Sequence, residues 1–149
     1  MDRTDQHMLA LLSRDGRMSL TDIGRHCGLS TSAAQQRVRR MERLGIITGY
    51  TAQVDPVALQ RTLIAFISIR VSSLEQDETT LNFMRNAPEI ISCWSIAGDA
   101  SYLAKVQVGN TADLESLISR LRSATNVLTV TTVVLSTIFA ERPLVNFPD

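Results

Sequence analysis

The sequence has little of several things, and each shortage excludes a class of protein. Only two of its 149 residues are cysteine, Cys27 and Cys93. With no C-x-x-C pair and no histidine at ligand spacing, neither a disulfide framework nor a zinc site is expected, and both cysteines read as small core residues. The two histidines, His7 and His26, lie near the N-terminus without a Ser-His-Asp, paired-carboxylate or metal-ligating pattern around them. Neither charge is in excess: fifteen Lys and Arg balance fifteen Asp and Glu, which excludes a uniformly basic coat and an acidic tail. A long apolar run is missing too. The uncharged stretch 123–140 spans 18 residues but holds seven Ser or Thr, Asn126 and many β-branched residues, so it reads as strand rather than membrane helix. Asp2, Arg3 and Asp5 follow Met1 directly and leave no apolar core for a signal peptide, which makes the cytosol the expected compartment. A hydrophobic content of 44% with 20% charged residues fits one large or two small folded domains rather than a disordered chain.

What is present is unevenly distributed. Lys105 is the only lysine, and the other fourteen basic residues are arginine. Residues 1–50 hold eight arginines against five acids, a balance of +3, whereas the remaining 99 residues carry −3. Opposite signs in two segments imply two jobs, of which only the first suits an anionic partner. The boundary is expected near Val54-Asp55-Pro56, because proline disfavours helix at the residue before it and interrupts a strand ladder.

In the first segment, Thr4 or Asp5 is placed to cap a helix that carries Met8, Leu11 and Leu12 and ends at Asp15-Gly16. Ser19 opens a second helix as a capping pair with Asp22, with Leu20, Ile23 and Cys27 as its apolar stripe and Gly28 as its stop. Ser30 caps a third helix that buries Ala34, Val38 and Met41 before Gly45. The turn between the second and third helices is very short, and Gly24 and Gly28 stand where backbones cross and where φ must be positive. This is the pattern of a helix-turn-helix. The face of the third helix left outward carries hydroxyls, glutamines and arginines, the side chains that hold phosphate and read base edges, with Glu42 as its one acid. The candidate DNA-contacting set is Ser30, Thr31, Ser32, Gln35, Gln36, Arg37, Arg39, Arg40 and Arg43; the alternative is a solvated helix face. Residues 46–51 read as a β-segment with a turn, the place of a short wing.

The second segment reads β-α-β-β-α-β: a strand at 63–71, a helix at 74–86, strands at 90–97 and 102–108, a helix opened by Thr111, and a long last strand from Val127 to about Phe139. That order predicts a ferredoxin-like sandwich, with an antiparallel sheet carrying both helices on one face. The first and last strands of this segment are apolar on both alternating sets, so the second sheet face is expected to be covered by oligomerisation, or else by the wing and linker of the same chain.

Both halves resemble one family. Asp15-Gly16-Arg17, Leu29-Ser30, Arg37-Val38-Arg39-Arg40-Met41-Glu42, Gly45-Ile46-Ile47 and Gly49-Tyr50 resemble the N-terminal domain of the leucine-responsive and asparagine-responsive (Lrp/AsnC, feast-famine) transcription regulators. Ala87-Pro88-Glu89-Ile90, Cys93, Gly98-Asp99, Tyr102-Leu103 and Thr132-Val133-Val134-Leu135 are similar to that family's regulator-of-amino-acid-metabolism domain. Ala34 departs from the larger aliphatic residue usual in the family, and Ala100 and Ser101 stand where its members commonly have an aromatic and a second aspartate. The expected architecture is α+β: a winged helix-turn-helix over 1–50, a linker strand over 51–62, a ferredoxin-like βαββαβ domain over 63–142 and a tail over 143–149. The resemblance implies dimers and octamers, double-stranded DNA as partner, a nucleoid-associated location and an amino-acid effector. It places that effector at Gly98, Asp99, Ala100, Ser101 and Thr132; taken without the family, the turn is a plain hairpin. No cofactor is expected. Two other readings stay open: a ferredoxin-like enzyme of the haem-precursor decarboxylase type, and an architectural DNA binder without an effector.

Overall fold

Residues 1–140 and 142–145 are described by the computed structural model. Three helices, α1 (Arg3–Arg14), α2 (Leu20–Cys27) and α3 (Thr31–Arg43), come first. They are followed by β1 (Leu63–Arg70), α4 (Leu74–Asn86), β2 (Ile90–Ser95), β3 (Tyr102–Val108), α5 (Thr111–Thr125) and β4 (Leu128–Val133). The chain divides after Gln53 into a helical unit and a sheet unit, with Phe139 and the described residues beyond it grouped with the helical one. Of the expected tail, residues 146–149 lie outside the described residues, as does Glu141; Val145 packs against the helical core.

In the helical unit, α1 begins earlier than expected. Asp2, rather than Thr4 or Asp5, is its cap: Asp2 Oδ1 accepts the Asp5 N–H at 2.8 Å while Asp5 Oδ2 accepts the Asp2 N–H at 3.1 Å. Two acids three apart thus satisfy each other's orphan donors. Ser19 and Ser30 cap α2 and α3 as expected, and Gly28 ends α2 in the left-handed conformation at φ 67°. Gly24 has a steric reason to be glycine, since a Cβ there would lie 2.8 Å from the Leu29 carbonyl oxygen. Met8, Ile23, Ala34 and Met41 are fully buried and, with Leu9 and Val38, form the core. After α3 the expected β-wing is absent as a strand. Residues 46–51 form no ladder, because no other segment among the described residues of this unit pairs with them. Residues 51–62 contain no strand either. Asp55 accepts the Val57 N–H and the Pro56 carbonyl accepts the Arg61 N–H, both at 2.9 Å, which coils the expected linker strand into turns.

The sheet unit is a four-stranded antiparallel sheet in the order β2-β3-β1-β4. Strand periodicity sends Ala65, Ile67, Ile69, Ala104, Val106 and Val108 to one face, where Met84 of α4 and Leu114, Leu117 and Leu121 of α5 close the core. Asn110, not Thr111, caps α5, because its side-chain oxygen accepts the Asp113 N–H at 3.0 Å. The last strand stops at Val133 instead of reaching Phe139. It pairs only with β1, and after the Val134 N–H donates to Ile64 the chain runs past the start of its partner. Cys93 is a further correction: it lies exposed on edge strand β2, with its Sγ 3.5 Å from Met84 Sδ, whereas Cys27 is half-buried against the helical core.

One long-range tie joins α1 to α3. Asp5 is fully buried; its Oδ1 accepts from Arg37 at 2.9 Å and its Oδ2 from Arg40 at 2.5 Å, while Asp2 accepts from Arg37 at 2.6 Å. Burial pushes the Asp5 carboxyl up, but hydrogen bonds from Arg37 and the Asp2 N–H, with the charge of Arg40, outweigh it and hold the group below the ordinary carboxylate range. Arg37 first, then the Asp5 N–H, hold Asp2 low as well. A folded-state pKa below the unfolded one adds stability that is complete above about pH 4 and is lost as pH falls through the folded value. Asp5→Asn should therefore cost about 1–3 kcal/mol at pH 7, and the gap between variant and parent should close below about pH 4. Urea unfolding followed by circular dichroism over a pH series checks both; a gap that does not narrow as pH falls below about 4 contradicts the ion-pair account.

Candidate nucleic-acid interface and effector turn

The second and third helices meet through a four-residue sequence, Gly28 to Thr31, in which each residue has a local task. Gly28 reverses the chain, and the Leu29 N–H donates to the Gly24 carbonyl at 2.8 Å. Ser30 Oγ then accepts the Ala33 N–H at 3.2 Å and lies 3.1 Å from Ser32 Oγ. Thr31 Oγ1 donates to Thr21 Oγ1 at 3.4 Å, joining the starts of α2 and α3. The first turn of α3 holds no acid, so its N–H groups and positive dipole end face outward beside the Thr31 and Ser32 hydroxyls. That arrangement suits a phosphate.

Along α3 the sequence-predicted residues separate into three kinds. Thr31, Ser32, Gln36, Arg39 and Arg43 are exposed, and Arg39 and Arg43 form no ion pair among the described residues. Gln35 is half-buried in a cleft of about 310 Å³ with Arg39, Glu42 and Tyr50. Ser30 is engaged as the helix cap, and Arg37 and Arg40 are engaged by Asp2 and Asp5, so these three are structural as well as outward-facing. Glu42, the one acid, is turned to Tyr50, whose hydroxyl donates to Glu42 Oε1 at 2.9 Å. Burial, then that carboxylate, raises the Tyr50 phenol above its usual value. The sequence reading missed Asp2 and Asp5. Their signal is visible only in retrospect: acids at 2 and 5 and arginines at 37 and 40 share the same helical spacing.

The predicted effector residues are only partly brought together. Gly98, at φ 154°, Asp99, Ala100 and Ser101 lie in the connection between β2 and β3. Ser101 fastens this turn to the end of β1: its N–H donates to the Ile69 carbonyl at 2.9 Å and its Oγ accepts the Val71 N–H at 3.2 Å. Arg70 Nε donates to the Asp99 carbonyl at 2.6 Å. The Asp99 carboxylate is exposed, and the Gly98, Asp99 and Ala100 N–H groups make no backbone hydrogen bond among the described residues. Thr132 is not at the turn. It pairs with Phe66, four positions along β1 from Arg70, or roughly 13 Å at strand rise. Within one chain the turn alone offers N–H donors and a carboxylate, a match for the two ends of an amino-acid zwitterion. No group of three or more His, Cys, Asp or Glu side chains is placed to hold a metal among the described residues, and no helix there is long and apolar enough to cross a membrane.

Comparison with known proteins covers both units. An AsnC-type helix-turn-helix domain matches residues 1–42, and an Lrp/AsnC ligand binding domain matches residues 64–144. The chain is 36% identical over 142 residues to the HTH-type transcriptional regulator LrpA of Mycobacterium tuberculosis, covering 95% of each. It is 34% identical over 120 residues to the leucine-responsive regulatory protein of Escherichia coli, covering 79% of this chain and 73% of that one. A solved feast or famine regulatory protein of M. tuberculosis, complexed with L-methionine, superimposes with a TM-score of 0.88 at 35% identity, over 97% of this chain and 99% of that one. Helix-turn-helix geometry, a four-stranded sheet with two helices on one face, and similarity over both units lead to one conclusion: the chain belongs to the Lrp/AsnC family of DNA-binding transcriptional regulators.

Proposed function

We propose that this protein regulates transcription as a homo-oligomer whose α3 enters the major groove of double-stranded DNA and whose sheet unit senses an amino acid. The observation that carries the reading is the exposed face of α3, where Thr31, Ser32, Gln36, Arg39 and Arg43 stand together and the one acid is turned aside by Tyr50. Hydroxyls at the helix start suit phosphate, arginines suit phosphate or guanine, and glutamine suits adenine. This work needs no cofactor and no catalytic step, and it belongs in the cytoplasm, at the nucleoid. An architectural role without an effector has less support than sensing, because the match to the family's ligand-binding domain spans residues 64–144.

Oligomerisation follows from the sheet. On the face away from α4 and α5, Ile64 and Phe66 of β1, Leu103 of β3, Trp94 of β2 and Leu128 and Val130 of β4 lie side by side, the last two each 69% exposed. A second copy meeting this face removes that surface from water and gives a two-fold dimer. Two α3 helices then address half-sites one helical turn, or a multiple of it, apart. Assembly of dimers into octamers supplies a quaternary equilibrium for an amino acid to bias, to the extent that it binds one state more tightly. The effector turn Gly98–Ser101 would receive that amino acid; the M. tuberculosis relative complexed with L-methionine supports the ligand class.

Arg39→Ala with Arg43→Ala should weaken duplex binding and lower the slope of log K against log salt by about 0.9 for each phosphate left without its arginine. This pair leaves the Asp5 tie intact, unlike any change at Arg40. Fluorescence anisotropy across a salt series reads the slope, and a folded double variant with parental affinity and slope would remove α3 from the interface. Phe66→Asp with Val130→Asp should shift the particle mass to that of a 16.5 kDa monomer in sedimentation; retained dimers would place the interface elsewhere. A screen of the common amino acids should raise the Tm of the parent and leave Asp99→Ala unmoved. Equal shifts in both would exclude Asp99 from the effector site.

A further inference from the structure

Two acidic residues sit where a DNA-binding surface is expected to be most basic. Four arginines project from α3 between positions 37 and 43, yet two of them are already paired. The pairing is matched in spacing: Asp2 and Asp5 lie three residues apart at the start of α1, and Arg37 and Arg40 lie three apart on α3, so each pair shares one helix face. Arg37 Nη1 bridges both carboxylates, at 2.6 Å and 2.9 Å, and Arg40 Nη2 reaches Asp5 Oδ2 at 2.5 Å. Asp5 has no exposed surface, whereas the Arg37 and Arg40 side chains keep 33% and 47% of theirs. The guanidiniums therefore have one edge held and one edge outward.

We propose that Asp2 and Asp5 are specificity-determining residues that restrain the recognition helix's charge and so limit sequence-independent affinity for DNA. The inference rests on α3 being the DNA-reading helix. A phosphate that approaches Arg37 or Arg40 meets a guanidinium already neutralised by a carboxylate at hydrogen-bond distance, and gains less from it than from Arg39 or Arg43. Because Asp5 is buried, salt screens its pairs less than it screens an exposed pair or a protein–phosphate contact. Affinity for any sequence scales with the phosphates neutralised, whereas specificity needs base contacts, so a restraint on two of four arginines favours the second over the first. The same tie fixes the rotation of α3 relative to α1, which keeps Gln36 and Arg39 outward.

The test measures full-length parent, Asp5→Asn and Asp2→Asn against a random-sequence 30-base-pair duplex and a duplex enriched by the parent from a random pool, across a salt series. Asparagine keeps one acceptor oxygen at each position, enough for the helix cap at position 2, and replaces the other oxygen by an NH2 donor, so the charge and one acceptor are lost together. For each guanidinium released to a phosphate, the slope of log K against log salt on random duplex should steepen by about 0.9. Random-duplex affinity at low salt should rise several-fold, and the ratio of enriched to random affinity should fall. A purely structural role gives the opposite: lower helicity, weaker binding to both duplexes and an unchanged or shallower slope. If Asp5→Asn does not fold, Asp2→Asn decides: it removes the exposed one of the two carboxylates on Arg37 and leaves Asp5, so the slope should steepen, by less than about 0.9. An unchanged slope in folded variants overturns the restraint while leaving the DNA reading intact. A parent that binds neither duplex, or an Arg39→Ala, Arg43→Ala variant with the parental slope, overturns both.

Discussion

The buried carboxylate of Asp5 is the interaction on which the arrangement of the helical unit depends. Hydrogen bonds from two backbone N–H groups and two arginines converge on a pair of acids at the start of α1, and through Arg37 and Arg40 they set how α3 lies against it. An uncompensated buried charge is costly, so the tie is effectively all or none: once Asp5 is buried, both arginines are needed beside it. The apolar contacts of Met8, Ile23, Val38 and Met41 are non-directional and would tolerate rotation of α3. The guanidinium–carboxylate pairs supply the direction. Which side chains α3 turns outward is thus decided partly at the other end of the unit's sequence.

Much of this was legible in the residues, for reasons that differ from element to element. Ser19 with Asp22, Ser30 before Ala33, and Gly28 act within four residues, so the spacing alone located two helix starts and a reversal. Gly24 was legible as a crossing point, although only coordinates show that the Leu29 carbonyl is what excludes a Cβ. α4 and β3 fall on their expected spans because their apolar periods are undisturbed. What failed depends on partners distant in sequence. The β-character of residues 46–51 and of those beyond Val133 is real as propensity, but a strand needs a neighbour and neither segment has one in its own chain among the described residues. Asp2–Arg37 spans 35 residues, and no local pattern names such a pair. For the candidate sites, the exposed face of α3 could be read as a period. The convergence of Thr132 with the turn could not, because it came from resemblance and no single-chain contact among the described residues provides it.

The two units divide the labour by charge and by geometry. Residues 1–50, with their surplus of arginine, fold into a unit that presents helix N-termini and guanidiniums. The acidic remainder builds a sheet with one face buried by its helices and a second, mixed face on which Trp94, Leu128 and Val130 stand exposed. Ser101 and Arg70 join the Gly98–Ser101 turn to the end of β1, three residues before the Ser73 cap of α4. Those bonds tie the turn to a strand end that leads directly into a helix start, so the three are mechanically linked.

The edge strand β4 has one more consequence. Its sequence, Leu-Thr-Val-Thr-Thr-Val, has no lysine, no proline and no charge, and it lies open on one side with Leu128 and Val130 uncovered. Lysine, proline and charge are among the means by which natural sheets guard their borders, and β4 has none of these three. In colloidal terms a lone subunit is a sticky particle, and the chain's net charge of zero gives it little long-range repulsion. The proposed dimer, by covering this face, would then serve the solubility of the polypeptide as much as its symmetry.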